Sequence, residues 1–421
     1  MKRILRMSRL EPEAVFNPRK EYDPEMYVSR PEHERQFKNA LRNDLCILVH
    51  GQSGTGKTWL TRRVLIEEEY YFKPINLASA SSAQSISTCF KNIMARENWQ
   101  IRTKYTETKR ANVKVAVADG GVSHTAEYVD NIDYFLEFLK FMKYRSRNKE
   151  KKRYIVFENF EAIVGNEELL KELTNLIILI DDDEVLKYNT KIIVVAATSD
   201  IQSYFKKVSN INTIDNRVME LPEIRTLTTQ QSFELVDRGF SKLDITFPSN
   251  TDKQLYKEKI AWVTGGVPQR LHEFCLELSI MCKENDWIAK KEYLQIATKT
   301  WLTTSLSKNY AAISRIFVYD TQKISRKNQV LFCLGLKEKE QFTSGEIAQD
   351  MCNEFPYSTE GTKLNPTKIM NDLCKTDPII LHKDEDTKKY KFADNKFILC
   401  LRSMLYKDEG EIISIYDLDE I

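Results

Sequence analysis

Residues 46–58 leave this chain few choices. Cys46-Ile47-Leu48-Val49-His50 is a continuous apolar run, the pattern of a strand buried on both faces. Gly51-Gln52-Ser53-Gly54-Thr55-Gly56-Lys57-Thr58 follows at once, and a helical pattern follows that. Glycines let successive backbone N–H groups curl around phosphate oxygens, and the helix N-terminus adds its dipole. Lys57 is then placed to reach β- and γ-phosphates, and the Thr58 hydroxyl to ligate Mg²⁺. A Gly-rich structural turn is the alternative, but a complete motif between a strand and a helix argues against it. The ligand expected from Gly51 to Thr58 is ATP, or a closely related nucleoside triphosphate, with Mg²⁺.

The surrounding chain agrees with an α/β class and a parallel sheet. From 26 to about 225, strand candidates at Cys46–His50, Pro74–Ala78, Tyr154–Glu158 and Ile192–Thr198 alternate with helical patterns at 57–70, 83–97, 131–145 and 167–180. Residues 111–128 break this rhythm and read as an inserted hairpin turning at Asp119-Gly120-Gly121. Residues 1–25 are polar and basic and look like an arm. Residues 226–320 turn helical, as a lid and connector would. Residues 326–407 run helix, helix, helix, then a two-stranded hairpin, which is the order of a winged-helix domain. The tail 408–421 holds six acids interleaved with Ile412, Ile413, Ile415, Tyr416, Leu418 and Ile421. Solvated tails rarely keep so many large apolar groups, so it is expected to dock on a partner or on a basic cluster.

A P-loop needs a carboxylate from a neighbouring strand to hold its metal. Tyr154-Ile155-Val156-Phe157 ends in Glu158, the best candidate for that Walker B role. Asn159 stands where many ATPases carry the glutamate that activates water, and Glu161 is the possible substitute base. Ile192–Ala197 ends at Thr198, a hydroxyl able to polarise the attacking water, with Ser199-Asp200 as a helix cap. Arg217 lies between that strand and the lid, where an arginine can face a neighbouring subunit's γ-phosphate. Thr264-Gly265-Gly266-Val267-Pro268-Gln269-Arg270 breaks one helix and starts the next, with Pro268 at its first turn and Arg270 able to fold over a triphosphate.

In this order the motifs resemble the AAA+ superfamily, within it the initiator or origin-recognition type with a C-terminal winged helix. Signal-transduction ATPases share the layout. The resemblance runs over about 26–407 and begins at Tyr27-Val28-Ser29-Arg30-Pro31-Glu32. It implies that Val28 and Arg30 border the base, that Thr198 acts as sensor 1 and Arg270 as sensor 2, and that nucleotide state governs assembly. Glu158-Asn159 departs from the usual Asp-Glu and implies slow hydrolysis.

Two outputs are open: double-stranded DNA, or an effector protein held by the winged helix, with a homo-oligomer or hetero-complex in either case. The third helix of that domain offers Lys363, Asn365, Thr367, Lys368 and Asn371, and its wing carries Lys383, Lys388, Lys389 and Lys391 beside Asp384, Glu385 and Asp386. The domain has 15 basic and 12 acidic residues over 322–407, a net charge of +3 and a weak bias for DNA. Two basic clusters stand elsewhere, Arg102 to Lys114 and Lys143 to Arg153; if functional, they contact phosphates without reading sequence. The chain's net charge of +2 announces neither a nucleic-acid nor a membrane partner. Eight cysteines with no CxxC pair read as reduced buried thiols, and no apolar run approaches a membrane span. The expected compartment is the cytoplasm.

Overall fold

The computed structural model describes residues 9–19, 22–100, 133–197, 201–208, 214, 216–319 and 323–416. The expected hairpin at 111–128, the cluster from Arg102 to Lys114, and Thr198 with Ser199-Asp200 lie outside the described residues. The chain forms two compact units, residues 29–225 and residues 1–28 with 226–421.

The first unit holds a five-stranded sheet. Its strands are β1 (Cys46–His50), β2 (Tyr71–Asn76), β3 (Arg153–Glu158), β4 (Thr190–Ala196) and β5 (Val218–Glu220), in the spatial order β2-β3-β4-β1-β5. Every pairing is parallel, for example Ile47 with Ile193 and Phe157 with Val194. β1 and β4 are covered on both faces and buried at every position, and their runs Cys46–Val49 and Ile192–Ala196 are apolar accordingly. Helices Lys57–Glu67, Ile86–Arg96, Tyr134–Arg145 and Glu167–Leu179 close the core, where Phe90, Phe135, Phe138 and Phe157 pack together. β5 has three residues, too short to show as a period in the sequence.

The basic cluster before β3 has a structural role. Lys152 Nζ donates to the carbonyls of Leu41, Arg42 and Asn43 at 3.0–3.2 Å and so caps the helix Pro31–Leu41. Arg153, fully buried, donates to the carbonyls of Tyr188 and Lys149 at 2.6 and 2.7 Å. Lys143, Arg145, Lys149 and Lys151 likewise reach backbone carbonyls of Lys187, Glu97, Lys143 and Glu68. These cations satisfy helix and loop ends.

The second unit joins the lid and the winged helix. Lid helices Thr229–Lys242, Asn250–Thr264, Pro268–Glu284, Lys291–Thr303 and Ser307–Ile316 are followed by Arg326–Gly335, Ser344–Glu354, Pro356–Thr359 and Thr367–Leu373. A Thr343–Glu346 capping box opens Ser344–Glu354. The wing is the antiparallel pair β6 (Leu381–Lys383) and β7 (Tyr390–Phe392), extended by a bridge between Phe342 and Tyr390. Helix Lys396–Met404 then returns to the lid. Its Arg402, buried, donates to the carbonyls of Gly335 and Lys337 at 2.7 and 2.9 Å and lies 4.8 Å over the Trp262 ring.

Residues 12–16 and 411–415 are both built into this unit. Phe16, next to the short helix Pro12–Val15, is fully buried among Phe240, His272 and Gly239, so residues 12–16 are a packed part of the lid. The tail docks within its own chain: β9 (Ile413–Ile415) pairs antiparallel with β8 (Leu405–Lys407). Glu411 accepts the N–H groups of Tyr357 and Ser358 at 2.9 and 2.8 Å, capping the start of Pro356–Thr359. All eight cysteines are free, and among the described residues no helix is long and apolar enough to cross a membrane.

Candidate functional site

β1 delivers the chain to its loop at the C-terminal edge of the sheet, the end where open α/β sheets bind ligands. Gly51, Gly54 and Gly56 all have positive φ, at 150°, 81° and 87°. Gly51 is also forced by space, since a Cβ there would sit 2.4 Å from the carbonyl oxygen of Ile224. Gly56, left-handed, hands over directly to the helix Lys57–Glu67. Thr55, buried, ties the loop to itself by donating to the Gln52 carbonyl at 2.9 Å, while Ser53 is exposed.

Lys57 lies in the mouth of this loop, 9% exposed. Its Nζ donates to the carbonyls of Gly51 and Gln52 at 2.8 and 2.7 Å. Burial brings its pKa down to about 8, opposed by the carboxylates of Glu161 and Glu223 and reinforced by the charge of Arg30. Arg30 is itself buried, donating to the Arg225 carbonyl at 3.0 Å, with its own N–H held by Glu34 at 2.7 Å. Val28, buried, belongs to the other unit.

The end of β3 separates the two acids read there. Glu158 is the last residue of the strand and faces Arg62, with Nη2 to Oε1 at 3.5 Å; burial pushes its carboxyl up, against the pull of Arg62. Asn159 then turns the chain in the left-handed region, φ 61°, which asparagine tolerates. Its Nδ2 donates to Asn76 Oδ1 at 2.9 Å, and the same oxygen accepts Ala78 N–H to cap the next helix. The turn starts the 3₁₀ helix Phe160–Ile163 and carries Glu161 toward β4, where its Oε2 accepts the Ala197 N–H at 3.1 Å. The charges of Glu161 and Glu223 both act on the Lys57 ammonium, Arg62 faces Glu158, and Asn76 holds Asn159. No short motif marks Glu223, Arg62 and Asn76, because each arrives from a different element.

The two arginines behave differently from each other. Arg217 precedes β5 at the N-terminal edge of the sheet, where its carbonyl accepts Cys46 N–H, so it lies at the opposite end of the sheet from its own loop. Its Nε is 3.4 Å from Asp181. Arg270 lies in the first turn of Pro268–Glu284 in the other unit and pairs with Glu273 at 2.6 Å. The preceding Gly265 and Gly266 have φ of 61° and 68°; a Cβ on Gly266 would meet the Leu227 carbonyl at 2.3 Å.

A parallel sheet in the order 2-3-4-1-5 with a phosphate loop after β1, followed by a helical segment and a winged-helix arrangement, defines a P-loop fold of the ATPase type. Residues 35–274 match the family of ATPase domains found predominantly in Archaea, over more than half of the chain, and the chain belongs to that family. No curated protein matches it. Among solved structures it is similar to a Walker-type ATPase of Pyrococcus abyssi, at 16% identity and a TM-score of 0.50, covering 92% of this chain and 99% of that one. It is also similar to the ORC2 protein of Aeropyrum pernix, at 14% identity and a TM-score of 0.49, covering 92% of this chain and 96% of that one. At 16% identity the likeness to the Pyrococcus abyssi protein speaks to the fold alone.

Proposed function

We propose that the chain is a nucleotide-state switch: it binds ATP with Mg²⁺ at Gly51–Thr58, hydrolyses it slowly, and passes the state to its winged helix. The observation that carries this reading is Lys57, a buried ammonium resting on the Gly51 and Gln52 carbonyls inside a loop of positive-φ glycines. A triphosphate oxygen is a better acceptor for that cation than a neutral carbonyl. The loop N–H groups supply the remaining donors.

The residues present fit a magnesium ion. Thr58 opens the helix beside Lys57, and Glu158 Oε1 is buried with no hydrogen-bond partner, leaving acceptor capacity for a hard cation. Thr58 and Glu158 would hold it, and the ion would neutralise charge on the phosphates. Glu161 takes the role of general base: it follows the end of β3, and the Ala197 N–H at the end of β4 orients its carboxylate. Asn159 is occupied with Asn76 and has no basic atom near neutral pH. A base reached through a one-turn 3₁₀ helix, in place of a strand-end residue, supports slow turnover without a partner.

Duplex DNA is the proposed output. Lys363, Asn365 and Lys368 are exposed at the third winged-helix helix, and Lys389 and Lys391 are exposed on the wing. Asn371 is held by the Tyr390 hydroxyl at 2.7 Å and drops out of any reading set. The second reading, an effector protein on the winged helix, is favoured by Lys383 and Lys388 both pairing with Glu385. Fluorescence polarisation with a labelled duplex, with and without ATP, separates the two. The DNA reading expects ATP-enhanced, salt-sensitive binding that Lys368→Ala with Lys389→Ala weakens; absence of binding at low salt contradicts it and leaves the effector reading.

A further inference from the structure

Arg62 is a cation that triphosphate binding does not call for. It lies four residues after Thr58 on the helix Lys57–Glu67, and so on the same face. The next residue, Arg63, has its own acid in Glu67, at 3.5 Å. Arg62 turns instead to the end of β3, where Nη2 lies 3.5 Å from Glu158 Oε1. The two side chains are only 25% and 16% exposed. At this separation Glu158 Oε1 and Arg62 Nε have no hydrogen-bond partner, so the pair is held chiefly by attraction between charges.

A divalent cation on Thr58 would need that same carboxylate oxygen. The guanidinium must be displaced for the metal to reach that oxygen. We propose that Arg62 is a resident counter-cation that competes with Mg²⁺ for Glu158, making nucleotide binding by this chain nearly independent of Mg²⁺. The proposal rests on the assignment of Gly51–Thr58 as the triphosphate site. It also gives the switch a second gate: drawing Arg62 away from Glu158 frees the carboxylate for the metal.

Calorimetric titration of the full chain with ATP, in excess Mg²⁺ and in EDTA, tests this. For the wild type the two affinities are expected to agree within about threefold, while in Arg62→Gln Mg²⁺ tightens binding by about tenfold or more. Mg²⁺ without nucleotide is expected to raise the melting temperature of Arg62→Gln and to leave the wild type unchanged, because only the variant presents an unpaired Glu158. Arg62→Lys keeps the cation and is expected to follow the wild type. A wild type already tightened tenfold by Mg²⁺, with no larger response in Arg62→Gln, overturns the proposal and leaves the nucleotide site standing. ATP binding to no form in either buffer overturns the nucleotide site itself.

Discussion

Lys57→Ala is expected to weaken ATP binding by about a hundredfold or more. The ammonium would contact two phosphates, and each hydrogen bond to a charged group is worth about 1.5–3 kcal/mol. Two such contacts correspond to roughly 10²–10⁴ in the binding constant. The effect should fall on affinity with little change in the fold. In the free protein the Lys57 ammonium donates to the Gly51 and Gln52 carbonyls, and Thr55 holds the loop to Gln52 independently. Calorimetry measures the affinity, and circular dichroism confirms that the α/β unit persists. ATP affinity within threefold of wild type would remove Lys57 from the phosphate site.

The second large effect concerns stability. Phe16→Ala is expected to cost about 3–5 kcal/mol, the usual range for emptying a fully buried aromatic site. The Phe16 ring packs edge-on against Phe240 at 5.6 Å and His272 at 5.9 Å. It also covers Gly239, where a Cβ would come within 2.1 Å of Phe16 Cζ, so helix Thr229–Lys242 carries glycine at the one position the ring demands. Removing the ring opens a cavity between three elements and releases the segment Pro12–Val15. Denaturant unfolding reads the loss in the unit formed by residues 1–28 and 226–421. A change below about 1 kcal/mol would mean that the N-terminal segment is not part of that core.

Phe16 also shows where sequence reading fails. Residues 1–25 are polar on average, and Phe16 within them gives no periodicity, yet its burial decides where the segment goes. The local role of the cluster from Lys143 to Arg153 was hidden for a related reason. Its acceptors are backbone carbonyls of Leu41, Glu68, Glu97 and Tyr188, which composition does not reveal. The tail was read correctly as too apolar to stay in solvent, but its partner, Leu405–Lys407, is only a few residues upstream.

The phosphate loop was legible because its chemistry needs contiguous residues. Strand, glycines, Lys57 and Thr58 must follow one another, and β1 and the helix start lie where the motif puts them. The acids after β3 were only half legible. Spacing marks Glu158 and Glu161 as candidates, but the left-handed turn at Asn159 sends one toward Arg62 and the other toward Ala197. That divergence depends on one backbone dihedral and on the capping of Asn76, neither of which the local pattern carries. Arg62 was passed over because a charged residue on a helix after a P-loop has an ordinary reading as solvated surface.

Single-turnover hydrolysis of bound ATP, by the wild type and by Glu161→Gln, bears most directly on the account of a slow switch. Gln keeps an oxygen to accept the Ala197 N–H and loses only the basic carboxylate. The account predicts that the wild type binds ATP and turns it over far more slowly than tens per second. It predicts that Glu161→Gln binds about as well but is slower by about 10²–10⁴-fold, the usual share of a general base. Fast basal turnover, or an unchanged rate in Glu161→Gln, would contradict it.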